Sequence, residues 1–367
     1  MIKYCIIEDM KILFVFNHPA PYKVALFNGL ADAHDIHVIF ERFSAKNRHH
    51  SFYNEATYKF KHHAIKGVNL GNENHLSWGV RTHLKHNQYD LIVMNGYSTL
   101  TEMIALRYLK RKKIPYAFYI NGGIVKREPK WMRRIKTYFI RGASLYFSPA
   151  LKANEYLLHY QAPASKIVNY PYSTVYQKNV IQARVNQTLK IAFWEKQNIK
   201  AKNFTICITS FIKRKNNMCL IKAWKDIPTD HALILVGNGE EEKNYRSYIK
   251  EHHLSHVFIL PFAPKERVFE YLKHSNNAVY LSNYDIYGHV INEALAHGLN
   301  VLTNNNMIAA HSLIVDGKNG LILHDGEDLN TKLNDLFKTD FFNEAIASAA
   351  TIEDSVQVHL DILERHQ

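Results

Sequence analysis

Cysteine is scarce in this 367-residue chain, which has only Cys5, Cys207 and Cys219. They are odd in number and lack CxxC spacing, which argues against a disulfide framework and a zinc site and favours a reducing compartment, the cytoplasm. No apolar run reaches the roughly 18 residues of a membrane span, and Glu8 and Asp9 interrupt any signal-peptide core. Neither HExxH nor Asp-x-Asp occurs, so we expect no metal site.

Acidic residues are also under-represented, with 33 Asp and Glu against 46 Lys and Arg, a formal charge of +13. Such an excess is compatible with three partners: nucleic acid, an anionic membrane surface or a phosphorylated small substrate. The hydrophobic fraction of 47% and charged fraction of 22% are ordinary for globular proteins. The length suggests two domains, each able to bury a core.

Short aliphatic runs alternate with helical patterns, which predicts parallel sheets covered by helices on both faces. The first series has predicted strands at 12–16, 36–40, 91–94, 116–120 and 144–147, with helices at 22–33, 100–110 and 130–141. A second series has predicted strands at 204–209, 232–236, 257–260, 278–281 and 299–303. Two doubly wound, Rossmann-like domains are therefore expected, with ligands at the carboxyl ends of their strands, in a cleft between the domains.

The periodicity weakens around Pro171 and the polar run 177–187, which predicts a domain junction. We expect an N-terminal domain at 1–178, a linker at 179–202 and a C-terminal domain at 203–344. The last segment, 341–365, reads as helical, and its part from about 345 to 367 is expected to pack back on the first domain. Met10 opens a complete first strand, so the preceding residues are either an upstream extension or a short added edge strand.

The stretch SNYDIYGHVINEALAHGLNVL follows a predicted buried strand and carries two carboxylates, Asp285 and Glu293, eight positions apart. If a helix begins near Gly288, Asp285 lies in the loop before it and Glu293 about a turn and a half inside it. The free N–H groups of that first turn attract anionic or hydroxyl-rich groups, and Gly288 permits close approach. Both carboxylates are then able to face one ligand.

This stretch resembles family 4 of the retaining glycosyltransferases, whose C-terminal domain carries two Glu eight positions apart, followed by Ala and later Gly. Asp285, Gly288, Glu293, Ala294 and Gly298 stand at those positions, with Asp replacing the first Glu. The resemblance implies that Glu293 binds the ribose hydroxyls of the donor nucleotide. It implies that Asp285 contacts the donor sugar, with Tyr287 and His289 beside Gly288 in the donor site.

Further segments extend the resemblance over most of the chain. In ITSFIKRKNNMCLIKAW, Lys215 matches the lysine that grips the donor diphosphate, whereas Ser210 stands where many members have Arg and Lys213 or Arg214 could compensate. Gly237 and Gly239 match a Gly-x-Gly turn of the donor domain. On the acceptor side the candidate residues are Pro21 and Tyr22, at the entry to the first helix, and Asn121, where members often have His.

The resemblance implies the GT-B arrangement and a metal-independent transfer of a hexose-type sugar, without a cofactor, from a nucleoside-diphosphate sugar to an acceptor hydroxyl. Lys215 and Asp285 would be the catalytic residues. Two alternatives remain: a sugar-nucleotide epimerase of the same architecture, and a degenerate transferase that serves as a partner-binding scaffold. The bacterial members concerned build surface polysaccharides such as capsule and exopolysaccharide, so a glycan or lipid-linked acceptor is expected.

A basic segment near the middle of the first domain interleaves cations with aromatic residues. This pattern is compatible with a peripheral contact on the anionic inner face of the cell membrane and, equally, with an ordinary solvated helix. No recognition motif for nucleic acid accompanies it, so we expect no nucleic-acid partner. The cations concerned are Lys126, Arg127, Lys130, Arg133, Arg134 and Lys136.

Overall fold

A computed structural model describes residues 9–43, 57–71, 74–86 and 88–366. The chain forms two compact units, one of Met1–Tyr172 with Ile352–Gln367 and one of Ser173–Thr351. Residues 1–8, which bear on whether the chain effectively starts at Met10, lie outside the described residues.

The first unit is built on a parallel sheet whose described strands run in the order β3-β2-β1-β6-β7-β8-β9. Its central strands are apolar and buried, as expected of a sheet covered on both faces. Two short strands, β4 (Val68–Asn69) and β5 (His75–Leu76), pair antiparallel outside it. The strands of the main sheet are β1 (Lys11–Phe16), β2 (Asp35–Phe40), β3 (Lys61–Ala64), β6 (Leu91–Met94), β7 (Ala117–Tyr119), β8 (Leu145–Ser148) and β9 (Ile167–Asn169).

Helices connect these strands. Thr99 and Glu102 form a capping box that fixes the start of α3, since each side chain bonds the other residue's backbone N–H. The helices of this unit are α1 (Pro21–Leu30), α2 (Val80–His86), α3 (Leu100–Lys112), α4 (Lys130–Ile140), α5 (Leu151–His159) and the terminal α14 (Ile352–Glu364). Helix α14 packs on α1 so closely that a Cβ at Gly29 would meet the Val356 side chain.

The second unit repeats the architecture with a parallel sheet in the order β12-β11-β10-β13-β14-β15. Its strands are β10 (Asn203–Ile208), β11 (His231–Val236), β12 (Val257–Leu260), β13 (Asn277–Tyr280), β14 (Asn300–Asn304) and β15 (Leu321–Leu323). Its helices are α6 (Gln187–Glu195), α7 (Asn217–Ala223), α8 (Glu242–Glu251), α9 (Lys265–Lys273), α10 (His289–Ala296), α11 (Ala310–Leu313), α12 (Leu329–Lys338) and α13 (Phe342–Ser348). The predicted pair of Rossmann-like domains is confirmed.

The segment predicted as a linker, 179–202, belongs to the second unit and contains helix α6. Trp194 of this helix is fully buried, stacks on Tyr271 and donates a 2.8 Å hydrogen bond to the carbonyl of His274. The polar residues around it hid the helix, because α6 buries only Lys190 and Trp194 and so lacks a continuous apolar face.

The predicted helix at 341–365 is interrupted, forming α13 and α14 with residues 349–351 between them. At this break Ala350 exchanges two 2.8 Å hydrogen bonds with the Asn292 side chain, which takes the backbone groups that a continuous helix would use. The break lies at the boundary where the chain returns from the second unit to the first.

Candidate functional site

The second sheet reverses its strand order at β10, because β11 lies on one side of it and β13 on the other. Such a switch point opens a crevice at the carboxyl ends of the two strands, where doubly wound folds bind ligands. The loop after β10 contains Lys213, Arg214 and Lys215 in one short 3-10 turn. The loop after β13 contains Asp285. The topology therefore explains why residues seventy positions apart meet.

Lys215 and Asp285 form a direct ion pair, with Lys215 Nζ donating to Asp285 Oδ2. Their side chains are 13% and 14% exposed, so the pair is largely shielded from water. Arg214 Nη1 lies 3.7 Å from the same oxygen and donates to the carbonyl of Tyr284 at 3.3 Å. The switch point thus holds one carboxylate and two cations, an excess of positive charge suited to an anionic ligand such as a diphosphate.

Backbone hydrogen bonds fix the loop that carries Asp285. The Asp285 N–H donates to the Asn306 carbonyl at 2.9 Å, and the Asn283 N–H donates to the Arg214 carbonyl at 2.8 Å. Gly288 then adopts φ +100 as the residue before α10, and a Cβ there would lie 2.5 Å from Met307 Cε. Glycine is therefore needed at the point where the loop turns into the helix.

Tyr287 and His289 flank that glycine, with their rings 5.0 Å apart. Tyr287 is buried, and its carbonyl accepts a 2.8 Å hydrogen bond from the Ala309 N–H. His289 is the first residue of α10. Both residues therefore belong to the structured start of the helix whose free N–H groups lie next to the switch point.

Glu293 lies in the second turn of α10 and is half-buried. Its Oε1 accepts a 2.7 Å hydrogen bond from the Thr174 hydroxyl, and the Thr174 carbonyl in turn accepts one from Lys265 Nζ. Burial raises the pKa of Glu293, while the charge of Lys265 and the Thr174 hydroxyl act in the opposite direction. Sequence reasoning missed Thr174 and Lys265, which are remote along the chain and lie in no motif that we recognised.

The preceding residue, Asn292, is fully buried and joins the two points where the chain crosses between units. Its amide nitrogen donates to Ser173 Oγ at 3.0 Å and to the Ala350 carbonyl at 2.8 Å. Ser173 Oγ also donates to the Ala350 carbonyl at 2.8 Å. On helix α10 the candidate ligand residue Glu293 therefore lies next to Asn292, whose side chain bonds both segments where the chain crosses between units.

Gly237 and Gly239 have a steric explanation independent of any ligand. A Cβ at Gly237 would overlap the Thr209 carbonyl oxygen, and a Cβ at Gly239 would overlap that of Phe211. The turn after β11 thus packs directly on the loop after β10, and the Phe211 N–H donates to the Asn238 carbonyl at 2.7 Å. Ser210 is exposed within the same loop.

The predicted acceptor-side residues all lie in the first unit. Pro21 is the first residue of α1, a position that favours proline, and the Tyr22 ring packs edge-on against Tyr172 at 5.6 Å. The Asn121 amide nitrogen donates to Asn95 Oδ1 at 3.0 Å. Asn121 Oδ1 is buried and has no hydrogen-bond partner among the described residues, so it is available to a hydroxyl donor.

Helix α4 exposes three of the six predicted membrane-facing cations, namely Lys130, Arg133 and Arg134, whereas Lys126 and Arg127 precede the helix. Lys136 is an exception, because its Nζ lies 2.5 Å from Glu128 Oε2 and 3.4 Å from the Tyr160 hydroxyl. Within the described residues no helix has the length and apolar character that a membrane crossing requires. Over the same ranges, no group of three or more His, Cys, Asp or Glu side chains is placed to hold a metal ion.

Residues 190–352 match the model of a known domain family, glycosyl transferases group 1. The matched region includes Lys215, Asp285 and Glu293, together with Lys265, and so spans the switch point. A search of curated proteins found no match to the sequence.

Solved structures share the fold over nearly the whole chain. The chain resembles Anabaena HepE in complex with UDP and glucose, with a TM-score of 0.72, 18% identity and coverage of 97% of this chain and 99% of that one. WaaG, a glycosyltransferase involved in lipopolysaccharide biosynthesis, has a TM-score of 0.69, 16% identity and coverage of 96% and 99%. A glycosyltransferase from Rickettsia africae has a TM-score of 0.73, 13% identity and coverage of 97% and 98%. These likenesses establish the GT-B fold that the sequence predicted.

Proposed function

We propose that this protein is a retaining glycosyltransferase of family 4 that moves a hexose-type sugar from a nucleoside-diphosphate sugar to an acceptor hydroxyl. The main support is the ion pair between Lys215 and Asp285, which lies at the switch point of a region that matches glycosyl transferases group 1. UDP is the first nucleotide to test, because HepE, which shares the fold, was crystallised with UDP and with UDP and glucose.

The donor diphosphate would bind beside Lys215 and Arg214, at the start of α10. Both cations lie beside Asp285, so an incoming diphosphate competes with that carboxylate for the same charges. Stabilising the departing diphosphate in this way is electrostatic catalysis, and loss of one donor commonly costs about a hundredfold or more. We assign no protein group as a general base.

The nucleoside would bind along α10, with Glu293 accepting hydrogen bonds from the ribose hydroxyls. Thr174 occupies one carboxylate oxygen, which leaves Oε2 for the ligand. Asp285 would orient the donor sugar once Lys215 turns to the diphosphate. Gly288, Tyr287 and His289 form the wall of this donor site, with Ser210, Gly237 and Gly239 in the neighbouring loops.

The acceptor would bind the first unit at the carboxyl ends of its strands, near Pro21, Tyr22 and Asn121. We infer a glycan or lipid-linked acceptor in the synthesis of a surface polysaccharide, with the enzyme in the cytoplasm at the inner face of the membrane. The exposed cations of α4 support a membrane contact, and Asn121 Oδ1 offers a buried acceptor for a sugar hydroxyl.

The proposal is tested by incubating the protein with UDP-, GDP- and dTDP-sugars and following donor consumption by mass spectrometry. We expect release of one nucleoside diphosphate, slow with water and faster with the acceptor. An epimerase would instead convert one nucleotide sugar into its isomer without releasing the nucleotide. A scaffold would neither consume a donor nor bind a nucleoside diphosphate, and either result would contradict the proposal.

A further inference from the structure

Helix α4 exposes apolar side chains that the rest of the first unit does not cover. Trp131, Ile135 and Tyr138, spaced four and three positions apart, share one face and are 60%, 46% and 39% exposed. The opposite side of the helix faces the protein, because Ile140 is fully buried, and between the two sides Phe139 stacks on Tyr97. Tyr138 packs edge-on against Phe139 at 5.1 Å and lies under Lys110 Nζ at 4.7 Å, yet all three side chains keep a large exposed area. Large exposed apolar groups in a row indicate an interaction surface.

A surface cavity of about 330 Å³ opens at the end of this same helix. It is lined by three cationic residues, Lys110, Arg141 and Lys166, and by the exposed residue Tyr138. None of the described residues that line it is acidic. The cavity therefore has the charge of a site for an anion, and Tyr138 belongs both to it and to the apolar face.

The three cations of the cavity differ in how firmly the protein holds them. Lys110 Nζ donates to the Tyr138 carbonyl and, at 2.7 Å, to the Arg141 carbonyl, so it holds the end of α4 in place. Burial and the neighbouring Arg141 lower the pKa of Lys110 to about 8, which leaves it mostly protonated at neutral pH. Arg141 and Lys166 are exposed, so their side chains are available to a ligand.

We propose that the cavity bounded by Lys110, Arg141 and Lys166 binds the phosphate of an anionic lipid headgroup while Trp131, Ile135 and Tyr138 enter the bilayer interface. The cavity and the far end of the apolar face are about 10 Å apart along the helix, since a residue adds about 1.5 Å. The cavity and the apolar face would then contact the same bilayer surface. The charge of the cavity favours anionic headgroups, and the apolar face favours insertion at the bilayer interface. This inference rests on the proposed membrane-side transferase and names the site of its lipid contact.

The test is vesicle flotation of the full chain with phosphatidylcholine alone or with added phosphatidylglycerol. The pocket variant is Arg141→Gln with Lys166→Gln. It keeps the hydrogen bonds from Lys110 Nζ to the end of α4, because these bonds use only backbone carbonyls. Its control is Lys225→Gln with Lys250→Gln, which removes the same charge from exposed sites in the second unit. Trp131→Ala tests the apolar face.

We expect the wild type to float with phosphatidylglycerol vesicles only. Each cation near an anionic surface contributes roughly fivefold to partitioning, so the pocket variant should bind about 25-fold more weakly. The control variant should stay within about twofold of the wild type, because it keeps every cation of the cavity. Trp131→Ala should also weaken binding, and the Trp131 fluorescence of the wild type should shift to the blue on anionic vesicles.

Equal binding by the pocket and control variants would overturn the proposal, as would equal binding of the wild type to both vesicle types. If millimolar inorganic phosphate stabilises the wild type against heat but vesicles do not float it, the cavity binds free phosphate and the lipid assignment is wrong. UDP calorimetry on the same proteins separates this outcome from failure of the transferase proposal, since the pocket variant should bind UDP like the wild type.

Discussion

The hydroxyl of Thr174, the second residue of the second unit, donates a 2.7 Å hydrogen bond to Glu293 Oε1. The carboxylate that we assign to the donor ribose is thus held by the crossing segment itself. Lys265 holds the same segment by donating a hydrogen bond to the Thr174 carbonyl. The orientation and ionisation of Glu293 therefore depend on residues outside its own helix.

Thr174→Val removes this hydrogen bond with little change in volume. Hydrogen bonds to charged groups contribute about 1.5–3 kcal/mol, so we expect UDP affinity to fall about tenfold or more. The pKa of Glu293, already raised by burial, should rise further because the hydroxyl lowers it. Glu293 accepts hydrogen bonds from both ribose hydroxyls only when it is ionised, so UDP binding should weaken as pH falls through the pKa of Glu293. This acid limb of the binding profile should lie above the ordinary 4.5 and should move upward in Thr174→Val.

Calorimetric titration of UDP from pH 5 to 8 measures both effects. Thr339→Val is the matched control, because the Thr339 hydroxyl also makes one hydrogen bond, to the Leu336 carbonyl at 2.9 Å. An unchanged affinity and pH profile in Thr174→Val would show that Thr174 does not position the carboxylate.

The Lys215–Asp285 ion pair predicts opposite effects on binding for its two partners. Lys215→Met removes a cation from the diphosphate site, and we expect UDP affinity to fall about tenfold or more. Asp285→Asn removes the carboxylate that competes for Lys215, so UDP should bind as well as to the wild type or more tightly. Sugar transfer should nevertheless fall about a hundredfold in both variants, since each loses a group that acts on the reacting sugar or the leaving group.

These effects are separated by measuring UDP binding and donor turnover on the same preparations. Lys215→Arg keeps the charge and should retain most of the binding, which controls for loss of the fold. Weaker UDP binding by Asp285→Asn than by Lys215→Met would contradict the competition between carboxylate and diphosphate.

Gly239→Ala should lower stability through the neighbouring loop whether or not a ligand binds there. Its Cβ would overlap the Phe211 carbonyl, a backbone atom that has no alternative rotamer. Gly326→Ala is the control, because Gly326 also has a positive φ (+87) but no atom within 4 Å of the added Cβ. We expect urea unfolding to show a loss of about 1 kcal/mol for the control and more than about 2 kcal/mol for Gly239→Ala. Equal losses would rule out the steric explanation.

The strands were largely predictable, whereas several contacts at the candidate site were not. The apolar runs at 91–94 and 257–260 match strands β6 and β12 to the residue. Strand β3 escaped prediction because its sequence, KHHA, is polar and lies at the sheet edge. The pairing of Lys215 with Asp285 depends on strand order. The roles of Thr174, Lys265 and Asn292 depend on where the chain crosses between the units. Hydrophobic periodicity encodes neither of these.

Glu41 predicts a pH dependence of stability in the first unit. It is 2% exposed and accepts a 2.5 Å hydrogen bond from the Thr99 hydroxyl, and burial raises its pKa to about 7. Between the ordinary 4.5 and this value the folded protein holds a proton that the unfolded chain releases, so stability falls as pH rises through that window. Glu41→Gln should remove this loss.

We expect Glu41→Gln to be more stable than the wild type at pH 8, by on the order of 2–3 kcal/mol, and equally stable near pH 4. Thermal unfolding across this range measures the difference. Glu251→Gln, at an exposed carboxyl, should leave the profile of the wild type unchanged. A Glu41→Gln variant that tracks the wild type at every pH would show that Glu41 is not protonated in the folded state.

The most direct test of the central claim is calorimetric titration of UDP into the wild type, Glu293→Gln and Lys215→Met at pH 8. The claim is that one nucleoside diphosphate binds between the switch point and α10. It predicts a single site on the wild type and a loss of about tenfold or more in each variant, with the folds intact by circular dichroism. Equal affinity in all three proteins would contradict it.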